Sequence, residues 1–131
     1  MALRVLLIED DQAVVDMYCL RLVADGHTVA VASDGEEGLR MALEEDPDFI
    51  LLDLRLPKLS GLELLSRLRA SPKSREIPVI VLSNVTDIEL LHRGGELGVL
   101  EYMLKADTTP MQLSMRLAEH TRRTEDLNSY P

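Results

Sequence analysis

Two strongly apolar stretches of this chain, residues 3–8 and residues 49–52, are followed by acidic side chains. Asp10 and Asp11 come shortly after the first stretch, and Asp53 follows the second directly. If both stretches are strands that lie side by side and parallel, about 4.8 Å apart, their acidic ends meet at one edge of a sheet. We therefore expect the three aspartates to share one small volume.

Carboxylates held this close raise one another's pKa unless a positive charge lies between them. A divalent cation supplies such a charge, because it takes its ligands from aspartate and glutamate oxygens. A lysine supplies it as well, and Lys105 stands at the end of another apolar stretch, residues 99–104. These residue types at these positions indicate a metal-dependent carboxylate site.

Five apolar stretches alternate with longer segments of helical periodicity along the chain. The stretches are short and rich in valine, isoleucine and leucine, and they comprise residues 3–8, 28–32, 49–52, 77–82 and 99–104. Hydrophobicity is continuous rather than alternating in the first, third and fourth of them, which indicates strands that are buried on both faces. Because such strands occur in parallel sheets covered by helices, the pattern predicts an open, doubly wound α/β fold.

Four predicted helices begin with a serine or threonine that is followed three residues later by glutamate or glutamine, the spacing of a capping box. The pairs are Ser33 with Glu36, Ser60 with Glu63, Thr86 with Glu89, and Thr109 with Gln112. The first helix lacks such a pair. We expect Asp10 or Asp11 to cap it and Gly26 to end it.

Length and charge limit the classes of function. The 131 residues fit one domain, expected over residues 1–120, with the end of the last helix and a short C-terminal tail in residues 121–131. A net charge of −9, from 14 basic and 23 acidic residues, disfavours direct nucleic-acid binding.

No apolar stretch approaches the roughly 18 residues of a membrane span, so we expect no membrane association and a cytoplasmic location. Cys19 is the one cysteine, which excludes an internal disulfide.

In an open α/β sheet the functional crevice lies beyond the carboxyl ends of the strands. Ser83 follows the fourth apolar stretch and Lys105 follows the fifth, so both join the aspartates at that edge. Each residue alone is more typical of a turn or a helix cap. Together, polar groups from four strand ends favour a single site.

Four sequence motifs carry a resemblance that covers nearly the whole chain, from Arg4 to about Leu117. They are VLLIEDD, ILLDLRLPKLSG, VIVLSN and YMLKA. The chain resembles the receiver domain of bacterial two-component response regulators, a family that includes chemotaxis regulators. The resemblance implies a five-stranded parallel sheet of flavodoxin-like strand order 2-1-3-4-5, with helices on both faces, and a phosphorylation-activated signalling function.

The resemblance also implies a role for each acidic residue. Asp53 is expected to attack the phosphorus of a phosphohistidine donor and to become an aspartyl phosphate. Asp10 and Asp11 are expected to bind magnesium (Mg2+), with Asp53 and the backbone carbonyl of Arg55 completing the protein's ligands. The chain would assist its own phosphorylation and dephosphorylation without being a conventional turnover enzyme.

By the same resemblance, Lys105 and Ser83 contact the phosphoryl oxygens, and the movement of Ser83 lets Tyr102 turn inward as a switch. Tyr102 precedes Lys105 by three positions, so on a strand the two side chains point to opposite faces. An ordinary core aromatic is the alternative interpretation of Tyr102.

Some positions depart from the family's pattern. Ala106 follows the lysine where most receivers have a proline with a cis peptide bond, so the bond before Ala106 is either trans or an unusual isomer. Asn84 stands where a small residue is usual, and Arg55 and Val85 occupy positions that tune dephosphorylation in the family. We expect an altered phosphoryl lifetime, in a direction that the sequence leaves open.

The expected partners are a sensor histidine kinase or a histidine phosphotransfer protein as donor, and a downstream protein as recipient of the signal. The recipient is expected on a face that comprises the fourth helix, the fifth strand and the fifth helix, where a homodimer is also possible. This face includes Ile88, Leu91, His92 and Tyr102.

Other interpretations stay open at this point. The chain is either a stand-alone regulator or an excised receiver of a larger regulator or kinase, and a degenerate receiver would act only as a docking module. Haloacid-dehalogenase-like phosphatases also place a nucleophilic aspartate after a parallel strand and use Mg2+. Their general acid is an aspartate two residues later, a position that Arg55 occupies here.

Overall fold

Five parallel strands form one sheet, with helices on both of its faces. The computed structural model describes residues 2–84 and 88–128, and of residue 88 and residues 124–128 it describes the backbone only. The strands are β1 (Arg4–Ile8), β2 (Thr28–Ala32), β3 (Phe49–Leu52), β4 (Val79–Ser83) and β5 (Glu101–Leu104). The helices are α1 (Gln12–Ala24), α2 (Gly35–Glu44), α3 (Gly61–Ala70), α4 (Ile88–Glu96) and α5 (Pro110–Asn128), and a 3-10 helix, Lys105–Asp107, follows β5. The order β2-β1-β3-β4-β5 confirms the expected fold and strand order.

The sheet is buried on both faces, as the continuous hydrophobicity of its central strands predicts. Every residue of β3 and β4 is buried. Leu6 and Ile8 of β1 belong to a core that includes residues of α2 and α3, whereas Val5 and Leu7 belong to a core that includes residues of α1 and α5. The alternation of strand side chains accounts for these two cores, which hold the strand ends in place.

Two of the predicted capping pairs are confirmed. The backbone N–H of Glu63 donates to Ser60 Oγ at 3.2 Å at the start of α3. Thr109 and Gln112 exchange both bonds of a capping box at the start of α5, at 2.8 and 3.1 Å. Side chains thus satisfy backbone groups that the first helical turn leaves unpaired.

The predicted start of α2 is wrong by one residue, and another predicted cap is not described. Asp34 rather than Ser33 caps α2, because its carboxylate accepts a hydrogen bond from the backbone N–H of Glu37 at 2.8 Å. The carboxylate of Asp34 also lies 3.4 Å from the ammonium of Lys58, in the loop after β3. The cap predicted at Thr86 lies outside the described residues.

Small residues let the loop after β3 pack closely against its neighbours. The backbone N–H of Gly35 donates to the carbonyl of Pro57 at 3.2 Å, and a Cβ atom at position 35 would lie only 1.8 Å from the carbonyl oxygen of Leu59. A Cβ atom at Gly61 would lie 2.4 Å from the carbonyl oxygen of Asp53. Two glycines therefore fix the course of the loop that leaves the candidate site.

The last helix is longer than the sequence pattern indicates. It continues to Asn128, so most of the segment predicted to hold the helix end and the tail is helical. No helix within residues 2–84 and 88–128 is long and apolar enough to cross a membrane. The expected domain boundary at residue 120 stays a prediction.

Candidate functional site

Asp53 lies at the carboxyl end of β3, where three hydrogen-bond donors hold its carboxylate. Its backbone N–H donates to the carbonyl of Ile8 at 3.1 Å, which fixes the residue beside β1. Oδ1 accepts from Ser83 Oγ at 2.7 Å and from the backbone N–H of Arg55 at 3.1 Å, and Oδ2 accepts from Lys105 Nζ at 2.9 Å. The side chain is 7% exposed, so it is oriented and largely shielded, yet still reachable from one side.

Lys105 joins two buried carboxylates. Its ammonium lies 2.6 Å from Glu9 Oε1 and 2.9 Å from Asp53 Oδ2. Burial alone would lower the pKa of Lys105, but its hydrogen bonds to Glu9 and Asp53 outweigh that effect and raise it. Burial raises the pKa of the Glu9 carboxyl, although the hydrogen bond from Lys105 opposes the change. The lysine therefore stays charged and offsets the negative charge of both acids.

Three acidic side chains group together at this edge of the sheet. Glu9, Asp10 and Asp53 each offer a carboxylate oxygen, and these oxygens all lie within 4.8 Å of one another. Glu9 and Asp53 are buried, whereas Asp10 is exposed. A set of carboxylate oxygens open to water on one side is the kind of site that Mg2+ occupies, since Mg2+ keeps several water ligands. The donor set fits the predicted ion.

The predicted grouping of Asp11 with Asp10 and Asp53 is not what the structure shows. Asp11 caps α1, and its Oδ1 accepts hydrogen bonds from the backbone N–H groups of Ala13 at 3.0 Å and Val14 at 3.4 Å. Glu9 takes its place in the acidic group. The cap fixes the Asp11 side chain at the helix terminus, and its expected part in magnesium binding stays a prediction.

The register of the sheet explains why Glu9 is part of the site. Ile8 pairs with Leu52 across β1 and β3, so Glu9 and Asp53 are the next residues of adjacent strands. Glu9 Oε2 accepts from the backbone N–H of Asp11 at 3.1 Å, which holds its carboxylate inward. The sequence analysis did not include Glu9 in the site. Glu9 and Asp53 each come directly after the last apolar residue of their stretch, and this shared position could have indicated that the two side chains are neighbours.

Ser83 and Tyr102 lie on the parts of the structure that the sequence predicts for them. Ser83 ends β4, is 4% exposed and donates to Asp53. Tyr102 lies on β5 and packs beneath α4, so that a Cβ atom at Gly94 would lie 1.6 Å from its hydroxyl oxygen. That oxygen is buried and has no hydrogen-bond partner among the described residues. The inward position expected of a switch is therefore available to Tyr102.

Two of the positions that depart from the family's pattern, Asn84 and Ala106, contact each other. The peptide bond before Ala106 is trans, because no cis peptide bond occurs within residues 2–84 and 88–128. The backbone N–H of Ala106 donates to Asn84 Oδ1 at 3.0 Å. Val85 lies outside the part of the chain that the structure describes, so its expected influence stays untested.

A groove of about 910 Å³ opens beside the acidic group, between the loop after β3 and α4. Asp10 and Arg55 line this groove together with Arg93 and Glu96 of α4. The backbone N–H of Arg55 reaches Asp53. The exposed side of Asp10 thus faces open space from which a reactant can approach.

Comparison with known proteins identifies the family of this chain. The model of the response regulator receiver domain matches residues 5–117. RpaA of Synechocystis sp., named as a DNA-binding dual master transcriptional regulator, is 34% identical over 122 residues, which are 93% of this chain and 50% of that protein. The chain spans about half the length of the curated relatives that it matches. The expectation of no direct nucleic-acid binding is therefore not supported for the full-length relatives.

Solved structures of receivers share the fold. A CheY-like receiver domain protein of Methanospirillum hungatei has a TM-score of 0.88 and 25% identity, over 96% of this chain and 98% of that one. The response regulator Rcp1, solved in a Mn(2+)-bound form, has a TM-score of 0.73 and 28% identity, over 86% of this chain and 88% of its own. None of these proteins supports the haloacid-dehalogenase-like alternative. With its strand order, its acidic edge and this family match, the chain belongs to the response regulator receiver family.

Proposed function

We propose that this receiver accepts a phosphoryl group on Asp53 and that phosphorylation alters a surface recognised by a partner protein. A carboxylate oxygen of Asp53 forms a bond to phosphorus while the bond from phosphorus to the donor's nitrogen breaks. The donor is a phosphohistidine of a sensor kinase or a phosphotransfer protein, and its imidazole keeps the released electron pair and takes up a proton. The observation that carries this proposal is the Asp53 carboxylate, fixed by Ser83 and Lys105 on separate oxygens.

The chain's own residues supply much of the electrostatic stabilisation. The ammonium of Lys105 already contacts Asp53 Oδ2. It is therefore close enough to stabilise negative charge on the phosphoryl oxygens when the phosphoryl group is transferred to this carboxylate. Ser83 can turn its hydroxyl from the carboxylate to a phosphoryl oxygen. Burial of Asp53 limits access of bulk water, which strengthens both interactions.

Glu9, Asp10 and Asp53 are the carboxylates that would hold Mg2+, with the backbone carbonyl of Arg55 as a further proposed ligand. The bound ion would neutralise charge on the phosphoryl oxygens. The short distances among the three carboxylates support this assignment, and Asp11, as a helix cap, is not part of it.

The proposed output passes through Ser83 and Tyr102 to the face formed by α4, β5 and α5. His92 is exposed on α4 and Leu91 is half-buried beside it, which suits a surface for a downstream protein or a second copy of the chain. Ile88 is also proposed to lie on this face. A cytoplasmic location and a role without conventional enzymatic turnover are parts of the same proposal, for a stand-alone chain as well as for a receiver within a larger regulator.

Phosphorylation of Asp53 has a direct test. Intact mass is measured after incubation with Mg2+ and acetyl phosphate, for the parent, for Asp53→Asn and for Asp16→Asn. Asp16 is exposed on α1, so its variant serves as a matched control. We expect one added phosphoryl group on the parent and the control and none on Asp53→Asn. A parent that gains no mass, or an equally modified Asp53→Asn, contradicts the proposed function.

The proposed metal group of Glu9, Asp10 and Asp53 predicts different effects for two adjacent aspartates, Asp10 and Asp11. Asp10→Asn should raise the Mg2+ concentration that gives half-maximal phosphorylation by about ten-fold, because one of its carboxylate ligands is lost. Asp11→Asn should leave that concentration within about two-fold, since asparagine also caps helices well. Phosphorylation rates across a Mg2+ titration measure both. Equal effects of the two changes would restore Asp11 to the metal group.

A further inference from the structure

The loop that carries Lys105 is held by a contact that a proline after the lysine would remove. Asn84 Oδ1 accepts a hydrogen bond from the backbone N–H of Ala106 at 3.0 Å. Proline has no backbone N–H and could not make this bond. Asn84 and Ala106, the two departures from the family's pattern beside the site, are therefore the two partners of one interaction.

A second side chain holds the far end of the same loop. Tyr18 is a core residue of α1 that is only 1% exposed. Its hydroxyl donates to the carbonyl of Thr108 at 2.8 Å. The hydroxyl of Thr108 donates in turn to the carbonyl of Leu104 at 2.7 Å. We call the segment from Leu104 to Thr108 the lysine loop. Tyr18 fixes its last residue, Thr108, and Asn84 separately holds its middle at Ala106.

Asn84 is also the residue directly after Ser83, which ends β4. Ser83 binds Asp53 Oδ1 and Lys105 binds Asp53 Oδ2. The bond from Ala106 to Asn84 therefore ties together the two chain segments that present these donors. The strands β4 and β5 pair as far as Ser83 and Leu104, and this bond extends the connection between the two segments past the strand ends.

We propose that Asn84 is a positioning residue for Lys105, acting through the N–H of Ala106. This inference rests on the proposed function, because the quantity it governs is the phosphorylation of Asp53. Without the bond, the middle of the lysine loop is free to move while Tyr18 still holds its end. The ammonium then spends less time at Asp53, and phosphorylation slows while the fold persists.

The test is a double-mutant cycle on the phosphorylation rate with acetyl phosphate and Mg2+. Asn84→Ala should lower the rate of the parent about five-fold, which corresponds to the loss of about one ordinary hydrogen bond. Ala106→Pro removes the donor, so Asn84→Ala added to it should change the rate less than two-fold. If Asn84→Ala has the same five-fold effect with proline at position 106, Asn84 acts by another route and the proposal is overturned.

Amide hydrogen exchange of the unphosphorylated protein supplies a readout that is independent of the reaction. The Ala106 amide should exchange at least about five-fold faster in Asn84→Ala, while the Thr109 amide, which Gln112 holds, should not change. Unchanged exchange at Ala106 overturns the proposed contact. If the parent takes up no phosphoryl group, both the proposed function and the role of Asn84 are contradicted. If the parent is phosphorylated and Asn84→Ala is phosphorylated at the same rate, only the role of Asn84 is contradicted.

Discussion

Lys105→Met should destabilise the protein by about 3 kcal/mol in the absence of divalent cations. The change keeps an unbranched apolar side chain of similar length but removes the ammonium that lies between Glu9 and Asp53. Those acids are 2% and 6% exposed, so they would be left as neighbouring buried charges without a cation. Removal of one partner from a buried ion pair typically costs about 3–5 kcal/mol, and the lower end applies because the Lys105 side chain retains 14% exposure.

Urea unfolding followed by circular dichroism measures this loss of stability, with and without Mg2+. Lys73→Met is the matched control, because Lys73 is exposed, and it should change the free energy of unfolding by less than about 0.5 kcal/mol. Added Mg2+ should narrow the difference between Lys105→Met and the parent, since the ion binds the same carboxylates. A loss no larger than that of the control would show that Lys105 does not balance these buried charges.

The fold could be predicted from the sequence because its signals are local and repeated. Five apolar stretches, continuous in the central strands, indicate a parallel sheet buried on both faces, and the cores around β3 and β4 have this arrangement. Helix starts at Ser60 and Thr109 follow from capping chemistry that lies within three residues. At the start of α2 the sequence offers both Ser33 with Glu36 and Asp34 with Glu37 at the same spacing, so local sequence alone does not choose between them.

The site was harder to predict because Glu9, Asp10 and Asp11 follow one another and all carry a carboxylate that could bind a metal. The choice among Glu9, Asp10 and Asp11 depends on the strand register and on which carboxylate the helix start takes as its cap. Both are properties of the packed structure. The bond between Asn84 and Ala106 is likewise invisible in the sequence, since its partners lie 22 residues apart and meet only when β4 and β5 pair.

Gly94→Ala should move the half-buried Tyr102 side chain out of its position beneath α4. A methyl group at position 94 would lie 1.6 Å from the hydroxyl oxygen of Tyr102 and 2.9 Å from its Cζ atom, distances that no packing tolerates. The end of a side chain gives way more easily than a helix backbone. The hydroxyl has no hydrogen-bond partner among the described residues, so its movement to solvent breaks no bond within them. The ring should therefore rotate outward.

Gly95→Ala is the matched control for this variant. A Cβ atom there has nothing within 4 Å, so alanine should only strengthen the helix, by about 1 kcal/mol. Chemical shifts of the Tyr102 ring, observed in tyrosine-labelled protein, should change strongly in Gly94→Ala and little in Gly95→Ala. Ring contacts between Tyr102 and α4 should be lost only in the first variant.

The same pair of variants separates phosphorylation from the switch. The Asp53 carboxylate is held by Ser83, Lys105 and the backbone of Arg55 rather than by Tyr102, so Gly94→Ala should be phosphorylated at a rate within about two-fold of the parent. If the inward Tyr102 transmits the signal, phosphorylation should no longer alter amide shifts along α4 in Gly94→Ala, although it still does so in Gly95→Ala. Persistence of the full response in Gly94→Ala, with the ring shown to be outside, would mean that the signal reaches α4 without Tyr102.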